Sequence, residues 1–148
     1  MNEAFDLERF VIAQDPVFET VLLELCQGRK REHWIWFIFP QLRGLGHSWE
    51  ADHFGIASRE EADAYLKHSI LGQRLVECTS LVNRIGGHSI QEIFGGIDSV
   101  KFRSSMTLFA EVEPHKKVFA EALEKYFGGV PDQLTLEMLR RSQQAAKA

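Results

Sequence analysis

Three consecutive cations, Arg29-Lys30-Arg31, lead into a run of large side chains, His33-Trp34-Ile35-Trp36-Phe37-Ile38-Phe39-Pro40, with Gln41, Arg43, Gly44 and Gly46 after it. These residue types suit an anionic ligand that carries a flat ring. Aromatic rings offer stacking faces, guanidinium groups give paired hydrogen bonds to carboxylate or phosphate, and glycine lets a ligand approach the backbone closely. A second concentration, Asp98-Ser99-Val100-Lys101-Phe102-Arg103-Ser104-Ser105-Met106-Thr107, loads a helix start with two cations and four hydroxyls. Free amides and the helix dipole already favour anions at such a start.

Joined, the two segments form one expected site. Arg29, Arg31, Lys101 and Arg103 counter the ligand's charge, Trp34 or Trp36 stacks on its ring, and Gln41, Arg43, Ser104, Ser105 and Thr107 complete the polar lining. Any proton transfer falls to His33, His47 or Glu50, histidine being the side chain that titrates nearest neutral pH. Each feature also has a plainer explanation. The aromatic run serves as the central core element, the hydroxyls cap or bond back to their own helix, and Lys101 and Arg103 face water.

Other chemistries lack sequence support. His47 and His53 are six apart, the wrong spacing for two metal ligands on one helical face, so no metal site is expected. No phosphate-binding glycine loop, serine-nucleophile elbow or Cys/His zinc spacing occurs, and no cofactor is expected. Seventeen basic against twenty-one acidic residues leave a net charge of −4, which disfavours binding to duplex DNA, where affinity rests on neutralising phosphates. Cys26 and Cys78 lie within apolar helical patterns and read as reduced core thiols.

The elements that must position these residues read as helices throughout. Asp6 is expected to cap a first helix carrying Leu7, Phe10 and Val11, and Asp15 with Pro16 to start a second that ends at Gly28. Ser58 with Glu61 and Ser89 with Glu92 match the capping box. Leu71, Leu75, Cys78, Val82 and Ile85 form one stripe that ends at Gly86 and Gly87. Asp98 is expected to cap a helix holding Phe102, Met106 and Phe109. Val118 to Phe127 makes another helix, and a last one follows Thr135. FGGID and FGGVPD read as two similar helix stops. The run from His33 is expected to be buried nearly all round, as helix or as strand; its helical neighbours and the want of a pairing strand favour a helix ended by Pro40.

The fold class is therefore all-α: one domain over residues 1–148, of about six to eight helices around one buried aromatic-rich element. Its ordered core spans about 5–139, with a frayed tail at 141–148. About 150 residues bury roughly 70% of the unfolded surface, enough for one core. The acidic N-terminal start lacks the order of a secretory signal, and no apolar run approaches the ~20 residues of a membrane span. A cytoplasmic protein without membrane contact is expected.

GRKREHWIWFIFPQLRGLG, FGIASREEADAYLKHSILGQRL and EIFGGIDSVKFRSSMTLFA together resemble the bacterial family catalogued as domain of unknown function 1810. The resemblance runs from about Asp6 to Leu136. It implies a multihelical all-α fold and no particular reaction. The label calpastatin-like, sometimes attached to the family, is set aside: it belongs to a disordered protease inhibitor, and this sequence is patterned for a folded core. Ser69 stands where the family's YLxHPxLG segment has proline, a departure at a helix junction.

The leading functional expectation is a domain that binds, or acts on, an anionic small molecule, phosphate-bearing or nucleotide-like. The alternative is a non-enzymatic protein-interaction module that uses the same Arg and Trp residues, which are enriched in binding hot spots. A single-stranded nucleic-acid surface is a weaker third. Oligomeric state is open at this stage.

Overall fold

The computed structural model describes the backbone of residues 5–147 and the side chains of 5–144. Nine helices follow one another among the described residues, above the expected six to eight. They are α1 (Glu8–Gln14), α2 (Phe18–Cys26), α3 (Ile35–Ile38), α4 (Trp49–His53), α5 (Arg59–Lys67), α6 (Leu71–Arg84), α7 (Ile90–Val112), α8 (Val118–Phe127) and α9 (Gln133–Lys147). The element not anticipated is the short α4, whose apolar periodicity is too brief to register in a sequence window, while α3 is a shortened form of the helix expected from His33. No helix among the described residues is long and apolar enough to cross a membrane.

The long helix α7 is the axis of the packing. It lies against α8, α5, α9 and α3, while α6 bridges α8, α5 and α2. Phe102, Met106 and Phe109 of α7 are fully buried, as are Leu71 and Cys78 of α6 and Phe119 and Ala122 of α8. Fully burying such a large apolar side chain contributes about 1.5–3 kcal/mol, so these stripes account for much of the driving force. Phe39 meets both Phe94 and Phe102 edge-on, at centroid distances of 5.8 and 5.0 Å, which ties the aromatic run to α7.

Several helix ends follow their expected chemistry. Ser89 and Glu92 form the full capping box. Ser58 Oγ accepts from the Glu61 amide, but the Glu61 carboxylate turns to the Ala57 amide instead of closing the box. Gly128, in the left-handed region, ends α8. Others differ. Leu7 and Val17, not Asp6 and Asp15, precede α1 and α2, and neither gives a side-chain cap. The α1 and α2 starts are held instead by backbone bonds such as Val17 N to Gln14 O.

Asp98 accepts no capping bond among the described residues, although FGGID does break the helical backbone as expected, two helical runs meeting within α7. Gly95 adopts φ 84° and ψ 167° inside α7, a conformation open to glycine alone, and the helix resumes beyond it. The last helix begins at Gln133, two residues before Thr135, and stays helical to Lys147 through the segment expected to fray. Ala148 and residues 1–4, including most of the acidic start, lie outside the described residues. Cys78 is buried, but Cys26 is exposed at the end of α2, so only one thiol is a core thiol.

The aromatic run yields only the four-residue α3. Its approach is pinned by bonds that no helix makes: the Lys30 amide donates to Ile93 O, and the Arg31 and Glu32 amides donate to the Glu24 carboxylate. Pro40 stops it on the other side. Trp36 and Phe37 remain only partly buried, so the run is not enclosed all round.

Candidate functional site

The polar half of the site starts from an acid on the buried face of α2. Glu24 Oε1 accepts from the Arg31 amide at 2.7 Å, the Glu32 amide at 3.1 Å and Trp34 Nε1 at 2.9 Å. Burial by itself pushes this carboxyl upward. The hydrogen bonds from Arg31, Trp34 and Glu32, with the nearby charge of Lys30, outweigh that and hold it below the ordinary carboxylate value. Glu24 thereby fixes the loop between α2 and α3, and Trp34, 1% exposed, becomes core.

The same loop turns Lys30 inward. Lys30 Nζ lies 2.8 Å from Asp98 Oδ2, and Lys101 Nζ lies 3.5 Å from Asp98 Oδ1. All three side chains are largely buried. Two lysines thus share one aspartate, which leaves positive charge in excess of its ion-pair partner beside Lys101. Lys101 Nζ also sits 5.9 Å from the centre of the Trp36 ring.

Between α3, α4 and α7 lies a narrow crevice with a cavity volume of about 10 Å³, lined by Ile35, Trp36, Phe39, Gln41, Glu50, Ala51, Phe54 and Lys101. Its far wall is the segment 41–56, closed on itself by an isolated parallel bridge between Leu42 and Ile56. Arg43 N donates to Ile56 O at 2.8 Å and Ile56 N to Gln41 O at 2.9 Å. Trp36 Nε1 is buried and has no hydrogen-bond partner among the described residues. So is Ser105 Oγ, one turn beyond Lys101 on the same side of α7. An unpaired buried donor costs about 1–3 kcal/mol, so such groups mark places where something else completes the bonding.

The structure gathers Trp36, Gln41, Lys101 and Glu50 from the expected set into one crevice and disperses the rest. Arg29 and Arg31 are exposed on the α2–α3 loop and enter no ion pair among the described residues; His33 and His47 are exposed as well. Trp34 has no free face for a ligand, because its ring is core and its N–H is taken. Arg43 donates to Asp52 O and Gly55 O, bracing the 41–56 segment beside Arg9. Arg103 donates to Val130 O and lies over the Phe127 ring.

The hydroxyls take their plainer role. Ser104 Oγ donates to Val100 O and Thr107 Oγ1 to Arg103 O, each one turn back, and Thr107 Oγ1 accepts from the Asp132 amide. They sit mid-helix in α7, far from any N-terminus, so the dipole argument for them lapses. Lys30, Asp98 and Glu24 are the members that sequence reasoning missed. Glu24 was visible, as an acid beside Leu25 on the apolar face of α2; Asp98 was hidden by its likeness to a cap.

A larger depression along α1 and α5, bordered by Glu8, Arg59, Asp63, Lys67 and His68, contains none of the expected site residues and opens onto solvent. Among the described residues no group of three or more His, Cys, Asp or Glu side chains is placed to hold a metal ion.

An all-α chain with nine helices among its described residues and a small crevice against its axial helix is the class these features define. The chain belongs to the family described as protein of unknown function, DUF1810, whose model matches residues 4–139. It is also similar to the crystal structure, at 1.38 Å, of a conserved hypothetical protein from Mycobacterium tuberculosis. The TM-score is 0.92 at 55% identity, covering 93% of this chain and 99% of that one. Comparison with curated proteins gives no match.

Proposed function

We propose that this domain binds a small anionic ligand whose charged group enters the crevice between α3, α4 and α7. The observation that carries the reading is the buried, partnerless Trp36 Nε1 in a crevice walled by Lys101, a cation whose aspartate is already shared with Lys30. An acceptor oxygen there would take the indole N–H and answer the surplus charge. The crevice's volume of about 10 Å³ is room for roughly one water, so only the tip of an anionic group enters and the rest of the ligand stays outside the crevice. A phosphate-bearing or nucleotide-like ligand would leave its ring at the rim. In this reading the protein works in the cytoplasm with both thiols reduced.

The test is a thermal-shift screen against nucleotides, sugar phosphates and dicarboxylates. A ligand at 100 times its dissociation constant stabilises the fold by about 2.7 kcal/mol. The shift should vanish in Lys101→Met and persist in Arg103→Ala. A shift that survives Lys101→Met, or a screen in which no anion acts, overturns the reading.

A second reading, protein interaction, has its own observation. Ile97 and Val100, one turn apart on α7, are 75% and 60% exposed, and Val130, to which Arg103 is bonded, and Leu134 are exposed too. An apolar strip with an arginine in it has the composition of an interface core. A partner lost from Ile97→Ser, Val100→Ser protein of unchanged melting temperature would favour this reading. Trp34, enclosed in the core, takes no part in either.

A further inference from the structure

The charge cluster beside the crevice does not sum to zero. Two ammonium groups, Lys30 and Lys101, share the single carboxylate of Asp98, which leaves a surplus of one positive charge next to the space that Lys101 lines. Trp36 adds a buried N–H without an acceptor among the described residues. Lys101 Nζ lies 5.9 Å from the centre of the Trp36 ring, a span that one acceptor making two hydrogen bonds of about 3 Å can bridge. The crevice that both residues line offers about 10 Å³, room for roughly one water.

Size, charge and lining select among anions. A carboxylate or phosphate group leaves most of its atoms outside so small a space, whereas a halide ion, only slightly larger than a water, goes in whole. The surplus is a single charge, so a monovalent ion neutralises it and a dianion overshoots. Ile35, Phe39, Ala51 and Phe54 make much of the lining apolar, so an ion that enters gives up most of its hydration. That cost rises with the square of the ionic charge and falls with ionic radius, which favours chloride or bromide over sulfate or phosphate. The acid Glu50 also belongs to the lining, and negative charge on that wall weighs twice on a dianion.

We infer that the crevice is a halide site: one chloride-sized monatomic anion that accepts hydrogen bonds from Trp36 Nε1 and Lys101 Nζ and neutralises the Lys30–Asp98–Lys101 cluster. This rests on the anion-binding reading above and narrows it to an ion with no remainder to leave outside. The ion is bound and not transformed, and it ties α3 to α7.

In ¹⁵N-labelled protein the Trp36 Nε1–H signal, assigned by its loss in Trp36→Phe, is followed while sodium chloride, bromide, acetate, methyl phosphate and sulfate are titrated separately at matched ionic strength. Chloride and bromide should move it along a saturating curve with about tenfold or more the affinity of any of the three oxyanions. Lys101→Met, which removes a charge-assisted hydrogen bond, should weaken chloride by about tenfold or more. Lys30→Met, at a residue outside the lining, cancels the surplus and should weaken chloride by about threefold or more. An oxyanion that binds as tightly as chloride overturns the halide assignment and leaves anion binding intact. Chloride affinity unchanged in Lys30→Met overturns the charge balance and the assignment that depends on it. A Trp36 signal that no salt moves overturns the crevice as an anion site, and the inference with it.

Discussion

Trp34 donates its indole N–H to the Glu24 carboxylate at 2.9 Å, and the two residues, ten apart in sequence, sit buried together beneath the loop that delivers Lys30 to Asp98. One acid therefore decides where the cation that shares Asp98 with Lys101 ends up. Two backbone amides share the same oxygen, so the acid organises the chain as well as the side chain.

Replacing Glu24 by Ala should cost on the order of 3 kcal/mol, because one buried and two part-buried donors lose their acceptor. Glu24→Gln should cost less, about 1–2 kcal/mol, since an acceptor oxygen remains. Urea denaturation monitored by tryptophan fluorescence measures both, and a loss under about 0.5 kcal/mol in Glu24→Ala would show that the loop is held by other contacts.

The same group gives a pH dependence. Its folded value lies below the ordinary 4.5, so in acid the unfolded chain takes up a proton that the native state still refuses. The stability it contributes is fully present above pH 4.5 and is lost as pH falls through the lowered folded value. Glu24→Gln should flatten the stability profile in that acid range and leave its slope at neutral pH unchanged; identical acid slopes would contradict this.

Arg9 and Glu61 form a buried pair at 2.9 Å, with Arg9 also bonded to His53 O and Gly55 O. Arg9→Ala strands the Glu61 charge and should cost about 3–5 kcal/mol. A double-mutant cycle with Glu61→Met should show coupling of at least about 1 kcal/mol, and purely additive losses would mean the pair matters little.

The long stripes of α6 and α8 were legible in the sequence because each repeats over three or more turns around one face. The site was legible only in part. Trp36, Gln41 and Lys101 carry donor chemistry on any reading, and Glu50 was visible as an acid next to histidines. Arg29 and Arg31 share that chemistry, yet their side-chain direction depends on where loop 29–34 is tied, and that tie is the tertiary contact with Glu24; Arg103 is drawn instead to Val130 O and the Phe127 ring. Ser104 and Thr107 misled for a local reason: the helical backbone does break at Gly95, but both hydroxyls stand more than two turns beyond the run that restarts there. The positive φ of Gly95 makes the break, and Gly96 has none.

That distinction is testable. Gly95→Ala forces an L residue into φ 84° and should destabilise by about 1–3 kcal/mol, although nothing lies within 4 Å of the added carbon. Gly96→Ala, equally uncrowded but without the positive φ, should stabilise by up to about 1 kcal/mol. Similar shifts of melting temperature from the two substitutions would refute the backbone explanation.

The two thiols should separate cleanly. Burial, with a smaller push from Glu77, raises the Cys78 thiol to about 12, whereas Cys26 is exposed. A maleimide at neutral pH should label Cys26 in the folded protein and Cys78 only in denaturant, as peptide mass spectrometry would read. Labelling of both in the native state would reveal opening of the α6 core.

Everything the crevice takes from its far wall, Gln41, Glu50, Ala51 and Phe54, rides on a segment whose ends are joined by the two hydrogen bonds of the Leu42–Ile56 bridge. The wall is thus one closed loop, clasped at its base by both bonds together. The Ile56 amide is half of that clasp: hydrogen exchange at that one proton reports how firmly the far wall is held.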